Sequence, residues 1–200
     1  MAAVAIILGG GVALYFLAKA EGVDVGSQLS DLKDQISGEV ATVTADLGLN
    51  NDPISIAMPI IQGFESFSAS RYPDPPGSGK FSIGWGHQIQ PGDPDQYSDP
   101  NFILPRDEGD QLLRQDMAAS YAAVTDNVTV DLTPNQAAAL ISFVYNVGVG
   151  AFEQSTMLSL LNQGDFDGAA AQFPSWIHSG GLVSNALVSR RNQEQELFNS

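Results

Sequence analysis

The chain has 200 residues, 44% of them hydrophobic, and its 23 acidic against 8 basic residues give a net charge of −15. This acidity argues against a nucleic-acid partner, because binding to phosphates requires a basic surface. The absence of cysteine excludes disulfides and thiolate metal sites. The two histidines, His87 and His178, are too few for a histidine-based metal cluster, so no metal site is expected.

The first segment, Ala2–Ala18, is an uncharged apolar run. A helix of this length covers about 26 Å, slightly less than the roughly 30 Å hydrocarbon core of a bilayer. The run therefore predicts a retained transmembrane anchor, with a lipid membrane as partner of residues 2–18. A cleaved signal peptide is the alternative, because Ala18-Lys19-Ala20 resembles a small-x-small cleavage site, although no basic residue precedes the run.

Residues 19–52 contain two lysines and seven acidic residues, a net −5. Apolar residues between Leu29 and Leu47 recur at steps of three and four, which is typical of an amphipathic helix. We expect an acidic helical spacer or stalk that connects the anchor to a domain over residues 53–200.

The domain over residues 53–200 is predicted to be of the α+β class, mostly helical with a small β element. Its first helix should end near Glu65, with a kink or a late start at Pro59. A turn and a strand follow, in which Phe81, Ile83 and Trp85 alternate with smaller residues.

The rest of this domain has helical patterns separated by short connections. One of them has Thr133 as N-cap and Pro134 at the first helical position. The helical stretches cover residues 106–128, 132–148, 155–164, 165–177 and 185–198.

Two carboxylates in the first part of the domain have contrasting surroundings. Glu65 lies beside Phe64 and Phe67, an apolar setting that favours a proton donor, and Asp74 lies between prolines that restrict its backbone. Glycosidic bond hydrolysis needs a proton donor and a second carboxylate, and Ser82 could hold the attacking water. Both acids also fit ordinary roles, as a solvated helix-end carboxylate and a turn former.

The order helix-Glu, an eight-residue gap, Asp, then a turn into "SIGWGH" resembles the phage-type lysozymes of glycoside hydrolase family 24. The resemblance continues through "LTPNQAAALISFVYNVGVGAF", "STMLSLLNQGDFDGAAAQFPSW" and "GGLVSNALVSRRNQEQELF", and covers about residues 54–198. It implies a peptidoglycan hydrolase that cuts between N-acetylmuramic acid and N-acetylglucosamine without a cofactor.

The resemblance assigns roles to individual residues. Glu65 matches the catalytic glutamate, Asp74 the aspartate and Ser82 the family's threonine. Two features depart from the family: seven residues rather than five separate Asp74 from Ser82, and serine replaces threonine. His87 is expected to tie the β element to a neighbouring carboxylate.

The resemblance also places arginines against the catalytic helix. Of Arg190 and Arg191, one is expected to pair with Glu65 and the other to lie on the surface.

Two biological settings fit these expectations. The first is a membrane-containing virion, where the enzyme, with other virion proteins as possible partners, opens the wall during infection. The second is the bacterial inner membrane, where a signal-anchored endolysin faces the wall and lyses the host. The alternative from another class is an inactive wall-binding or structural virion protein that keeps the lysozyme fold. The acidic surface is unusual for an enzyme whose substrate, the bacterial wall, is often itself anionic.

Overall fold

The computed structural model describes residues 3–8, 11–16 and 52–200. The first two ranges are antiparallel strands, β1 (Ala3–Leu8) and β2 (Gly11–Phe16), with Ala3 opposite Phe16. These residues are extended where a helix over residues 2–18 was expected. Valine, isoleucine and aromatic residues favour strands, and three consecutive glycines at residues 9–11 disfavour a helix.

The expected spacer over residues 19–52 lies outside the described residues, apart from Asp52. Within the described ranges, no helix combines the length and the apolar composition that a membrane span requires.

Residues 52–200 belong to one compact unit. Its helices are α1 (Pro53–Phe64), α2 (Arg106–Asp116), α3 (Ala118–Asn127), α4 (Pro134–Val147), α5 (Val149–Glu153), α6 (Thr156–Leu161), α7 (Phe166–Ala170) and α8 (Asn185–Phe198). Its strands are β3 (Ser68–Pro73), β4 (Phe81–Gly84) and β5 (His87–Gln88), which form one sheet, and β6 (His178–Ser179) and β7 (Leu182–Val183), which form a hairpin. This arrangement agrees with the expected mostly helical domain with a small β element.

Helix α4 lies at the centre of the helical part and packs against α1, α3 and α8. Every residue from Ala138 to Val144 is buried. Thr133 and Gln136 form a reciprocal capping box at its start, and Pro134 occupies the first turn, as expected from the sequence. The capping box fixes where α4 begins, and the buried residues of α4 form its contacts with the surrounding helices.

The β element has a small core of its own. A second buried cluster contains Ile83 of β4, Leu112 of α2, and two residues that lie between these elements, Tyr97 and Leu104. Strand β4 pairs antiparallel with both β3 and β5, and the β3 register shifts between Ser68 and Tyr72. The sheet is therefore fixed to α2 rather than to the central helix.

His87 links the sheet to neighbouring acidic residues. Its Nδ1 lies 2.8 Å from Asp116 Oδ1 at the end of α2, and its Nε2 lies 3.0 Å from Asp93 Oδ2. The hydrogen bond to Asp116 raises the pKa of His87 to about 9, with a smaller effect from Asp93 and against the opposing effect of burial. His87 is thus protonated in the folded protein at neutral pH.

A methyl group at Gly109 is expected to destabilise the sheet–α2 contact. A Cβ there would lie 2.5 Å from Phe67 Cε2, so Phe67 would have to move. We expect Gly109→Ala to lower the free energy of unfolding by about 1–3 kcal/mol. Gly63 of α1 is the matched control, because a Cβ there meets nothing within 4 Å. Gly63→Ala should be neutral or stabilising by up to about 1 kcal/mol. Urea titrations of both variants measure these changes, and equal effects at the two positions would contradict this packing.

The His87 pairs predict a pH dependence of stability. An unfolded histidine titrates near pH 6.5, so the pairs contribute fully below about pH 6.5. Their contribution is lost as the pH rises towards about 9. We expect the free energy of unfolding to fall across that window by on the order of 2–3 kcal/mol, at about 1.4 kcal/mol per pKa unit, reduced by partial exposure of the carboxylates.

Urea titrations at several pH values across this window measure the fall. Asp116→Asn removes the charge on the principal partner of His87 and should remove most of the pH dependence. A wild-type protein of constant stability between pH 6.5 and 9 would contradict the assignment.

Candidate active site

Glu65 is the C-cap residue of α1. Its backbone N–H donates to the Ile61 carbonyl at 2.9 Å, which closes the last turn. Ala57 and Ile61 on the same helix are fully buried in the main hydrophobic core. The helix therefore holds the Glu65 side chain at the edge of this core, where it is 34% exposed.

Arg190 of α8 holds one oxygen of the Glu65 carboxylate. Its Nη1 donates to Glu65 Oε1 at 3.1 Å, and the Arg190 side chain is 2% exposed. The same guanidinium donates from Nε to Glu194 Oε1 at 3.2 Å and from Nη2 to the Ser142 carbonyl at 3.2 Å. Three hydrogen bonds from one planar group fix its orientation, and so fix the oxygen of Glu65 that it contacts.

Arg191 is fully buried, so the expectation that one of the two arginines lies on the surface is wrong. Its Nε lies 2.8 Å from Glu194 Oε2, and its Nη2 donates to Asn146 Oδ1 at 3.0 Å. Burial is possible because Glu194, also fully buried, supplies the opposite charge.

Glu194 and Ser142 were not predicted from the sequence. Ser142 Oγ donates to Glu194 Oε1 at 2.7 Å, which joins α4 to the charged groups of α8. The spacing of Glu194 from Arg191 and Arg190, three and four residues, puts all three on one face of a helix and was a usable signal. Ser142 gave no signal, because a serine within an apolar helical run is common.

Asp74 and Ser82 form a direct pair. Ser82 Oγ donates to Asp74 Oδ2 at 3.0 Å, and Ser82 is fully buried on β4. The Asp74 N–H donates to the Lys80 carbonyl at 3.0 Å, which closes the loop between β3 and β4. The structure thus brings together the aspartate and the hydroxyl that the sequence resemblance singled out.

The longer connection between Asp74 and Ser82 is accommodated in this loop. Residues 75–80 are exposed, and Gly77 and Gly79 have φ values of 81° and 77°, which favour glycine. The additional residues therefore extend into solvent and leave the Asp74–Ser82 pair intact.

Glu65 opens on a cleft of about 310 Å³. The lining residues are Glu65, Ser66, Phe67, Ser68, Tyr72, Trp85 and Gly86. Burial, followed by the negative charges of Asp74 and Glu65, raises the pKa of the Tyr72 phenol. Tyr72 thus lies within electrostatic reach of both carboxylates. Its place in the cleft was not predicted from the sequence.

This arrangement provides one carboxylate with a fixed oxygen at the cleft and a second carboxylate with a hydroxyl partner, and Tyr72 of the cleft lies within electrostatic reach of both. Such a pair can donate a proton and activate a water molecule. His87 is not among the residues that line the cleft, and its contacts are with Asp116 and Asp93.

Comparison with known proteins gives several matches. The endolysin of Bacillus phage PZA is 40% identical over 141 residues, which are 70% of this chain and 52% of that protein. The SAR-endolysin of Escherichia phage Mu is 42% identical over 88 residues, 44% of this chain and 52% of that protein. The chain spans about half the length of these two relatives.

Among solved structures, the muramidase domain of SpmX from Asticaccaulis excentricus has a TM-score of 0.63 and 30% sequence identity. The similarity covers 72% of this chain and 95% of that domain. The sequence profile of the Phage lysozyme family matches residues 62–194, more than half of the chain and the part that contains Glu65, Asp74 and Arg190. The chain belongs to the phage lysozyme family.

Proposed function

We propose that this protein is a peptidoglycan hydrolase that cleaves the glycosidic bond between N-acetylmuramic acid and N-acetylglucosamine. The observation that carries the proposal is the Glu65 carboxylate, which opens on the cleft while the buried Arg190 fixes its Oε1. Membership of the phage lysozyme family and the similarity to a muramidase domain support it.

In this proposal Glu65 is the proton donor. Oε1 is occupied by Arg190, so Oε2 is the oxygen that transfers a proton to the glycosidic oxygen as the bond to the sugar's anomeric carbon breaks. The leaving sugar departs as an alcohol.

Asp74 is the proposed second carboxylate. Its Oδ2 accepts from Ser82, so its Oδ1 is available to a water molecule that attacks the anomeric carbon. Asp74 takes the proton that this water loses, and its charge stabilises the positive charge that develops on the sugar. The buried Ser82 hydroxyl keeps this carboxylate in one orientation.

The proposed setting is phage-induced lysis of the host. The two relatives described above are called an endolysin and a SAR-endolysin, which favours this setting over a virion enzyme that opens the wall during infection.

We further propose that residues 2–18 bind a membrane, and that within the bilayer a helix replaces the paired strands β1 and β2. The run carries no charged side chain. Two paired strands of six residues leave unpaired backbone groups at both edges, which hydrocarbon does not tolerate, whereas a helix satisfies these groups internally. The acidic residues 19–52 would then connect the lipid to the catalytic domain.

Glu65→Gln is expected to abolish most of the activity, because an amide cannot donate a proton to the leaving oxygen. The expected loss is about 10²–10⁴-fold in the release of reducing ends from purified peptidoglycan. Circular dichroism should show an unchanged fold. Glu153→Gln, at an exposed glutamate of α5, is the control and should retain wild-type activity. A Glu65→Gln protein with most of the wild-type rate would mean that another group is the acid. A wild-type protein that releases no reducing ends would instead favour an inactive wall-binding protein.

Asp74→Asn should lose at least about 100-fold in the same assay, since an amide neither accepts the proton of the water nor stabilises a cation. Ser82→Ala should lose less, roughly 10-fold, because one hydrogen bond to the carboxylate disappears. Ser82→Thr should stay within a few-fold of wild type, because the hydroxyl remains. If the Ser82→Ala protein has no activity while the Asp74→Asn protein remains active, the two assignments must be exchanged.

The full chain should float with phospholipid vesicles, resist extraction by high salt and be released by detergent. A chain truncated to begin at Asn51 should not float and should still cleave purified peptidoglycan, because the proposed catalytic residues all lie downstream. Circular dichroism of a peptide of residues 1–20 should show a helix in vesicles. If expression of the full chain instead gives a soluble secreted protein whose N-terminus is Glu21, the segment is a cleaved signal peptide.

A further inference from the structure

Two aromatic side chains form one wall of the cleft beside Glu65. Phe67 and Trp85 both line it, with ring centroids 5.2 Å apart and planes at 64°. Phe67 follows Glu65 by two residues, so the wall and the carboxylate share a short stretch of backbone. The position of the wall relative to Glu65 is therefore fixed.

The Trp85 indole is held by polar and charged groups from α1 and α2. Its Nε1 donates to Asp110 Oδ1 at 2.7 Å, and Gln62 donates to the same oxygen at 2.8 Å. The Arg106 guanidinium lies 4.0 Å from the centroid of the indole ring. Each of these contacts restrains the orientation of the ring.

Trp85 belongs to the main buried cluster, and these polar contacts come in addition to its apolar ones. The Arg106 side chain is 59% exposed, so it covers the ring from the solvent side and does not fill the interior. The indole is only 5% exposed, and its N–H is already hydrogen-bonded. What Trp85 presents to the cleft is therefore a small, rigid and apolar surface.

On the basis of the proposed function, we propose that Trp85, supported by Phe67, is the substrate-positioning residue for the sugar whose glycosidic oxygen faces Glu65. A pyranose ring has C–H groups on its faces, and an acetamido group adds a methyl; both pack well against an aromatic surface. A rigid wall two residues from Glu65 sets the distance between that sugar and the proton donor, which is the geometry that proton transfer requires.

Tryptophan fluorescence tests the contact directly. The chain has two tryptophans, so Trp176→Phe leaves Trp85 as the single indole. Adding Glu65→Gln allows soluble, uncross-linked peptidoglycan glycan strands to bind without being cleaved. We expect a saturable change in Trp85 emission, with the same half-saturation as calorimetric binding of these strands. Calorimetric binding without any change in emission would overturn the proposal.

Kinetics provide a second, independent test. In the Trp176→Phe background, Trp85→Phe should raise KM about 5–10-fold and change kcat by no more than about 3-fold, since the contact is present before the reaction. Asp110→Asn keeps an oxygen acceptor for the indole N–H and should retain a near-normal KM, whereas Asp110→Leu should behave like Trp85→Phe.

A purely structural role gives a different result. Trp85→Phe would then lower the urea midpoint and leave KM unchanged, which would overturn this inference while an active wild-type protein still supports the proposed function. If the wild-type protein neither releases reducing ends nor binds the strands, the proposed function fails, and this inference fails with it.

Discussion

The candidate site depends on the ion pair between Glu65 and Arg190, which lie 125 positions apart in the chain. Arg190 and Arg191 carry two positive charges into the protein, and Glu194 and Glu65 supply two negative charges. Removing one partner from such a group leaves an unpaired buried charge, which typically costs about 3–5 kcal/mol. Since these side chains come from α1 and α8, and α4 contributes Ser142, the position of Glu65 is a consequence of how three helices pack.

The second carboxylate depends on a different part of the fold. Asp74 is fixed by the loop between β3 and β4 and by Ser82, and the sheet that carries them has its own small core against α2. The cleft is therefore built from two parts that are stabilised separately. This separation explains why a longer β3–β4 loop leaves the Asp74–Ser82 hydrogen bond intact.

Much of the fold could be predicted from local signals. Thr133 and Pro134 mark the start of α4, and the helical spacing of apolar residues gives most of the other helices. Strand β3 gave no such signal, because its sequence SASRYP has little hydrophobic alternation and its register is irregular. Alternation along β4 also misleads, since Ser82 is as fully buried as Ile83. Which cation meets Glu65 could not be predicted from local spacing, because that contact is set by tertiary packing.

The few cations of this acidic protein are mostly used to hold side chains in place. Arg71 and Arg106 stack on aromatic rings, and Arg114 pairs with Asp52 at the start of α1. Arg190 and Arg191 are buried. A chain with a net charge of −15 therefore has little positive charge with which to attract an anionic wall over a distance. Under the proposed function, recognition of a glycan strand therefore rests on short-range contacts within the cleft, where hydroxyl groups and the Phe67–Trp85 wall lie beside Glu65.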